Sequence, residues 1–409
     1  MGQYTLVDHA NIIHQVEYME TKILPKGFID LPANIILSAD GFQVLSASKT
    51  PIRRLSTRGG QTRDGLLSQA FNAATIQKMI MNSYIDEIYY ASGEFLTKRP
   101  QIISTTNLVI YAMLYKMLSP TLARKVIESP VLREYNRRNP KNAIVDFKSI
   151  PQKVMDDFLA KNKAILARIE HEMIDAVLTR ITADKNLPEE DKIVRMRSLE
   201  KFVRWVDKRI WYLYLIIYQT PLKKEIESAY IELFYQYLDN TQVAVHTGNL
   251  VMEFIQNAEK AHLERIIVRN QLASREQVDA YLRNKLHREQ VVAMAERSKQ
   301  LLEVAWHFQT DRVNAGKTYN VRIVISNFGL INESTRDSLA KKLKTDTSGI
   351  SLSDFYEDSG ETGKLGAGLG LLYNSYLEDV CREKGIRYFC TIFPEPRLEK
   401  TTVTLDLTF

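Results

Sequence analysis

From about residue 66 to residue 245, apolar residues recur at every third and fourth position. No other feature limits what this chain can fold into as strongly. LLSQAFNAATIQKMIMNSYIDEIYYA, STTNLVIYAMLYKMLS and SPTLARKVIES each carry the stripe of an amphipathic helix. KVMDDFLAKNKAILARIEHEMIDAVLTRITA reads as one long helix. NLPEEDK (186–192) then reads as a turn, with Pro188 near the next helix start, and RMRSLEKFVRWVDKRIWYLYLIIYQ as a second long helix. Two long helices with a short connection predict an antiparallel hairpin. Pro221 ends it, and KKEIESAYIELFYQYLDN forms a further helix.

The pattern changes on either side of this body. FIDLPANIILSADGFQVLSAS alternates apolar and polar residues about Asp40-Gly41 and predicts a hairpin. RRLSTRGGQTR (53–63) reads as a solvated loop, with a phosphate or RNA contact as the sharper alternative. From about residue 245, TGNLVMEFIQNAEKAHLERIIVRN is a helix. Ser274 and Gln277 form a capping box that opens a helical stretch reaching WHF (306–308). NVRIVISNFG, IRYFCTIFPE and TTVTLDLTF are β-rich. The expected fold is α+β: a mainly helical N-terminal and central body and a C-terminal α/β sandwich, its mixed sheet covered by helices. The expected division is a mixed segment 1–65, a helical domain 66–150, the hairpin with a further helix 151–244, and an α/β domain 245–409.

Composition narrows the classes. Of 409 residues, 45% are hydrophobic and 25% charged, ordinary for a globular protein. A net charge of +6 is too diffuse to indicate nucleic acid. Two cysteines, Cys381 and Cys390, make a disulfide framework unsuited to this chain. NLVIYAMLYKML and IWYLYLIIY fall short of the ~18 apolar residues of a membrane span. The first residues lack the design of a signal peptide. These readings predict a soluble cytoplasmic protein with no membrane span.

Chemistry concentrates in the last two fifths. GKLGAGLGL (363–371) holds four of the seventeen glycines and runs into the helix LLYNSYLEDVCREK. Glycines leading to a helix N-terminus can cradle a phosphate. In VMEFIQNAEKA, Glu253 and Asn257 share a helix face and Lys260 lies a turn further on. A carboxylate can polarise water, an amide oxygen can ligate Mg²⁺ and an ammonium can neutralise phosphate. The bland alternative is the polar stripe of a surface helix. In RIVISNFGLI, a strand ends on Ser326, and Asn327 can both accept from and donate to a purine edge, with Gly329 after it.

In order, these are an E-x-x-x-N-A-x-K helix, a strand ending in a polar-x-Gly turn, a polar stretch, G-A-G-L-G-L opening a helix, and closing strands. This order resembles the ATP-binding domain of the GHKL superfamily, which includes gyrase, heat-shock chaperones, histidine kinases and MutL-type proteins. The likeness is strongest to sensor histidine kinases and covers about residues 245–409, with an extra helical segment at about 264–310. It implies a Bergerat-type site for ATP and Mg²⁺, with Asn257 as the metal ligand. Glu253 would stand at the general-base position and Lys260 would face the phosphates. Asn327 would read adenine beside Gly329, backed by Thr402 or Thr404. Thr362 and Lys364 would lie in the lid, and Gly366, Gly368 and Gly370 under the triphosphate. Two departures stand out: Asn327 replaces the family's Asp, and Ile331 replaces its second glycine.

A histidine kinase also needs a phosphoacceptor. His171, followed by Glu172, lies on the first long helix, where a neutral imidazole can act as nucleophile. The alternative is a solvent-facing helical histidine. The resemblance further implies a homodimer and a response-regulator-like protein partner. Three activities remain open: phosphotransfer to a protein histidine, an ATP-driven conformational clamp in which Glu253 activates water, and a non-catalytic nucleotide-binding regulator.

Overall fold

The structure, a computed structural model, describes residues 33–93, 101–146, 150–185, 187–217, 223–313, 316–330 and 369–409. Eight strands form one sheet: β1 (Asn34–Leu37), β2 (Arg53–Ser56), β3 (Thr62–Leu67), β4 (Ile85–Ser92), β5 (Leu302–Val313), β6 (Gly316–Phe328), β7 (Arg387–Glu395) and β8 (Lys400–Thr408). Their order is β2-β3-β1-β4-β5-β6-β8-β7. Every pairing is antiparallel, so the sheet is not mixed as expected. The helices are α1 (Ala39–Ala47), α2 (Ala73–Met81), α3 (Gln101–Ile127), α4 (Pro130–Arg138), α5 (Gln152–Lys161) and α6 (Lys163–Ala183). They continue with α7 (Glu189–Trp205), α8 (Lys208–Ile217), α9 (Lys223–Arg269), α10 (Val278–Arg283), α11 (Lys285–Arg297) and α12 (Leu369–Glu383).

Several expectations about local structure are corrected. The stretch 66–91 is not helical throughout: α2 ends at Met81, Ser83 takes φ 58°, and Ile85, Ile88 and Tyr90 are buried in β4. LEVAWHF leaves the helix for the same reason. Lys299 takes φ 54° after α11, and Leu302, Val304 and Trp306 alternate into the core as β5. The segment at about 264–310 is therefore part helix and part central strand. Asp40-Gly41 does not turn a hairpin. Ser38 caps α1 by accepting from the Gly41 amide, and a Cβ on Gly41 would stand 2.1 Å from the Tyr84 carbonyl oxygen. Only glycine fits there. The two long helices divide at Asn162 and at Val206-Asp207, where the Asp207 carboxylate accepts from the Arg209 amide at 2.8 Å. Conversely, no break occurs near 245: α9 runs 47 residues, about 70 Å. Pro188 does stand immediately before α7, and the Ser274–Gln277 capping box is present.

Among the described residues, one compact unit holds residues 114–242 and the other holds 33–113 with 243–409. The first is helical. Ile169, Met173, Val177 and Ile181, each four apart on α6, are buried, and α6 packs against α7. Tyr115, Phe202, Trp205, Phe234 and Tyr237 form an aromatic core of largely edge-to-face contacts, and the Tyr115 hydroxyl donates to the Trp205 carbonyl at 2.5 Å. Trp211 to Leu215 are buried as well.

The second unit is two-layered. Strand alternation gives the sheet an apolar face with Val304, Trp306, Ile323, Ile325, Val403 and Leu405, all buried. Helices cover that face. Trp306 Nε1 donates to Thr106 of α3 at 3.2 Å, and the Tyr388 hydroxyl donates to Asn374 of α12 at 2.6 Å. Gly248 of α9 lies against Asn107 and Ile103 of α3. Helix α3 is the one described helix long and apolar enough to cross a membrane, longer than the sequence runs suggested, and 67% of its apolar window is buried within the fold.

Candidate functional site

At the end of β6 the S-N-F-G turn meets the asparagine helix α9. Gly329 takes φ 139°, a conformation that disfavours side chains, and a Cβ there would stand 3.2 Å from the Ala261 carbonyl oxygen of α9. The backbone approach expected of this glycine is thus made to a helix. The Gly329 amide donates to the Glu399 carbonyl at 2.7 Å, and the Thr401 hydroxyl donates to the Gly329 carbonyl at 2.6 Å. Ala261 lies four residues after Asn257 and eight after Glu253, so the three form one helical stripe. Along the helix that meets Gly329, Asn257 lies one turn and Glu253 two turns before the Ala261 carbonyl. Asn257 and Lys260 are exposed, and Glu253 is half-buried.

Asn327 is buried at 4% exposure and pairs in register with Thr401, on the helix-covered face. Its Nδ2 lies 3.5 Å from the Phe328 carbonyl. Thr402, one residue on, points to the opposite face, where its hydroxyl meets Ser326 at 3.1 Å and donates to Glu395 at 3.2 Å. Thr404 shares that face by alternation. Neither threonine expected behind adenine stands with Asn327; Thr401 does. Gly370 lies in the first turn of α12, which begins at Leu369, two residues before the expected helix start. Thr362, Lys364, Gly366, Gly368 and Ile331 lie outside the described residues.

His171 sits on α6 off the buried Ile169–Ile181 stripe, with its side chain 69% exposed. Its Nε2 contacts Asp175 at 3.1 Å, while Glu172 faces Arg168 at 3.7 Å. The carboxylate that orients this imidazole is therefore Asp175 and not Glu172.

Two groups at this end of the sheet escaped the sequence reading. His262, next to Ala261, is buried, with Nδ1 3.3 Å from the Phe328 carbonyl oxygen. Burial pushes its pKa down to about 4, so the ring is neutral near pH 7. The adjacency of AHLER to the asparagine helix was the available signal. The second group lies on the other face of the sheet. The Arg58 guanidinium donates to Ser326 Oγ at 2.7 Å, its backbone N–H donates to Glu87 Oε1 at 2.9 Å, and its Nε stands 3.9 Å from Glu303. Lys400 closes on the same Glu303 at 2.7 Å with both side chains largely buried. Arg58 is thus a tether across the sheet and not part of a solvated loop. Burial raises the Glu87 pKa, opposed by the Arg58 N–H and by the charges of Arg63 and Arg58. Among the described residues, no cluster of His, Cys, Asp and Glu could hold a metal by itself.

Residues 25–409 match the family of unknown function DUF8084, and the chain belongs to that family. An uncharacterized protein of Treponema pallidum (strain Nichols) is similar, at 23% identity over 384 residues, covering 93% of this chain and 98% of its own. No solved structure matches.

Proposed function

We propose that the second unit is a GHKL-type module that binds ATP with Mg²⁺, and that the chain is a soluble cytoplasmic histidine-kinase-like protein. The observation that carries this reading is the Gly329–Ala261 contact. It joins an asparagine helix to a polar-x-Gly strand end across some seventy residues of sequence, the juxtaposition the resemblance requires. The donor set fits the group. Asn257 offers an amide oxygen to a hard cation, exposed Lys260 offers a positive charge to phosphate, and Asn327 carries an amide at the expected adenine position. The glycine run leads into α12, a helix N-terminus suited to an anion. Bound ATP would supply a transferable γ-phosphoryl group. His171, exposed and oriented by Asp175, is the acceptor in this reading, and a protein of the response-regulator kind would take the phosphoryl group from it.

Half-buried Glu253, on the same stripe as Asn257, favours a second reading, an ATP-driven clamp in which this carboxylate activates water. Incubation with Mg²⁺ and γ-labelled ATP separates the two. Phosphotransfer predicts acid-labile label on the protein, lost in Asn257→Ala and in His171→Ala. The clamp predicts free phosphate without protein label, lost in Asn257→Ala and in Glu253→Gln. Absence of both turnover and protection by nucleotide against heating would refute the site.

A further inference from the structure

Strand β7 is an edge of the sheet, and among the described residues it pairs only with β8. Its sequence is Arg387-Tyr-Phe-Cys-Thr-Ile-Phe-Pro-Glu395. The odd-numbered positions Arg387, Phe389, Thr391 and Phe393 face solvent, while Tyr388 is buried beneath α12. Phe389 and Phe393 are 64% and 62% exposed, an unusual allowance for two aromatic rings on one strand face. An exposed, apolar edge strand is a template for another strand.

The odd-numbered positions from Arg387 to Glu395 read the same in both directions except that the charge at the ends reverses sign. Turned antiparallel about Thr391, a second copy of β7 sets Arg387 opposite Glu395, Phe389 opposite Phe393, and Thr391 opposite itself. Arg387 makes no ion pair among the described residues, and Glu395 keeps only a bond from Thr402. Opposite charges and paired aromatics directly across two antiparallel strands are the favourable cross-strand pairs. A two-fold interface must be self-complementary in this way. Pro394 lacks an N–H, but in this register it falls near the end of the ladder, opposite Tyr388, where each strand forgoes at most one donor.

We infer that the chain forms a two-fold dimer by antiparallel β7–β7 pairing centred on Thr391, joining two eight-stranded sheets into one. The occupant of this edge is a second copy of the same chain. The inference does not depend on nucleotide binding.

The test is the full-length chain in sedimentation equilibrium, with four variants. Arg387→Glu and Glu395→Arg each place like charges opposite one another twice over, by symmetry. Each should weaken the dimer about tenfold. The double variant Arg387→Glu/Glu395→Arg restores both pairs and should return to wild-type association. Thr391→Cys puts two thiols on the dyad, where facing Cβ atoms lie about 4.5–5.5 Å apart. It should cross-link to itself under mild oxidation, whereas wild type, keeping Cys381 and Cys390, should not. A monomer at tens of micromolar would overturn the inference. So would a dimer insensitive to both single charge reversals and refractory to the Thr391→Cys cross-link, since its interface would lie elsewhere.

Discussion

At position 329 the conformation and the close packing make the same demand. A side chain would be strained at φ 139° and would crowd the Ala261 carbonyl. Gly329→Ala should destabilise the second unit by about 1–3 kcal/mol. The shift is measurable by urea denaturation. His262 gives a pH dependence. Its folded pKa of about 4 lies below the ordinary 6.5, so the unfolded chain takes up the proton first. Its contribution is intact above pH 6.5 and is lost as the pH falls towards 4, at up to about 1.4 kcal/mol per unit. His307, lowered to about 4 by burial and by Arg58 and Arg322, titrates in the same window. Urea midpoints between pH 7 and pH 4 should therefore fall less steeply in His262→Gln than in wild type. The helix that carries Asn257 and Lys260 and the turn at Gly329 are legible in the sequence because the helical period and S-N-F-G are local signals. The opposite orientations of Asn327 and Thr402 were not, since strand register is set by the sheet and a single residue reverses the face.

At the scale of elements, the sequence yielded helices more readily than strands. The helical period over α6 and α7 is plain in the sequence, though not the breaks at Asn162 and Val206-Asp207, and so are the three C-terminal strands with their runs of Val, Ile, Thr and Tyr. It was misread over β4 and β5, short apolar stretches next to helices, where spacing alone does not separate the two periods. In both places a residue with positive φ, Ser83 or Lys299, marks the change. Neither is a glycine, so neither looks like a stop signal. The β2–β3 hairpin was equally hidden, because its role depends on a partner 268 positions away in sequence. Arg58→Ala should remove the charged bond to Ser326 and the weaker of the two positive charges beside Glu303, Lys400 remaining, costing about 1–3 kcal/mol. Hydrogen exchange should show faster opening of β2 and β3, with α6 and α7 unchanged. Equal acceleration in the helical unit would count against the tether.

At the scale of the whole molecule, the expected domain 245–409 falls within a compact unit that also holds residues 33–113 among the described residues. Residues 33–113 supply β1 to β4 and the first half of α3 to the same sheet and core. Without them β5 loses β4, and Trp306 loses Thr106. A fragment of residues 243–409 should therefore lack a cooperative thermal transition and aggregate through the bared edge of β5, while the full chain melts cooperatively. A soluble fragment with its own sharp transition would show that the N-terminal strands are dispensable.

The β4–β5 pairing also has a consequence in time. Its two strands sit side by side in the sheet, yet roughly 200 residues separate them in the chain. At synthesis rates of about 5–20 residues per second, β4 leaves the ribosome about 10–40 s before its neighbour exists. During that interval Ile85, Ile88 and Tyr90 have no completed core to enter, whereas the intervening helices, whose contacts are local, can form at once. Nascent chains of this protein therefore spend that interval with a helical unit in place and half a sheet waiting. In that state the unpaired edge of β4 is the surface open to chaperones and proteases.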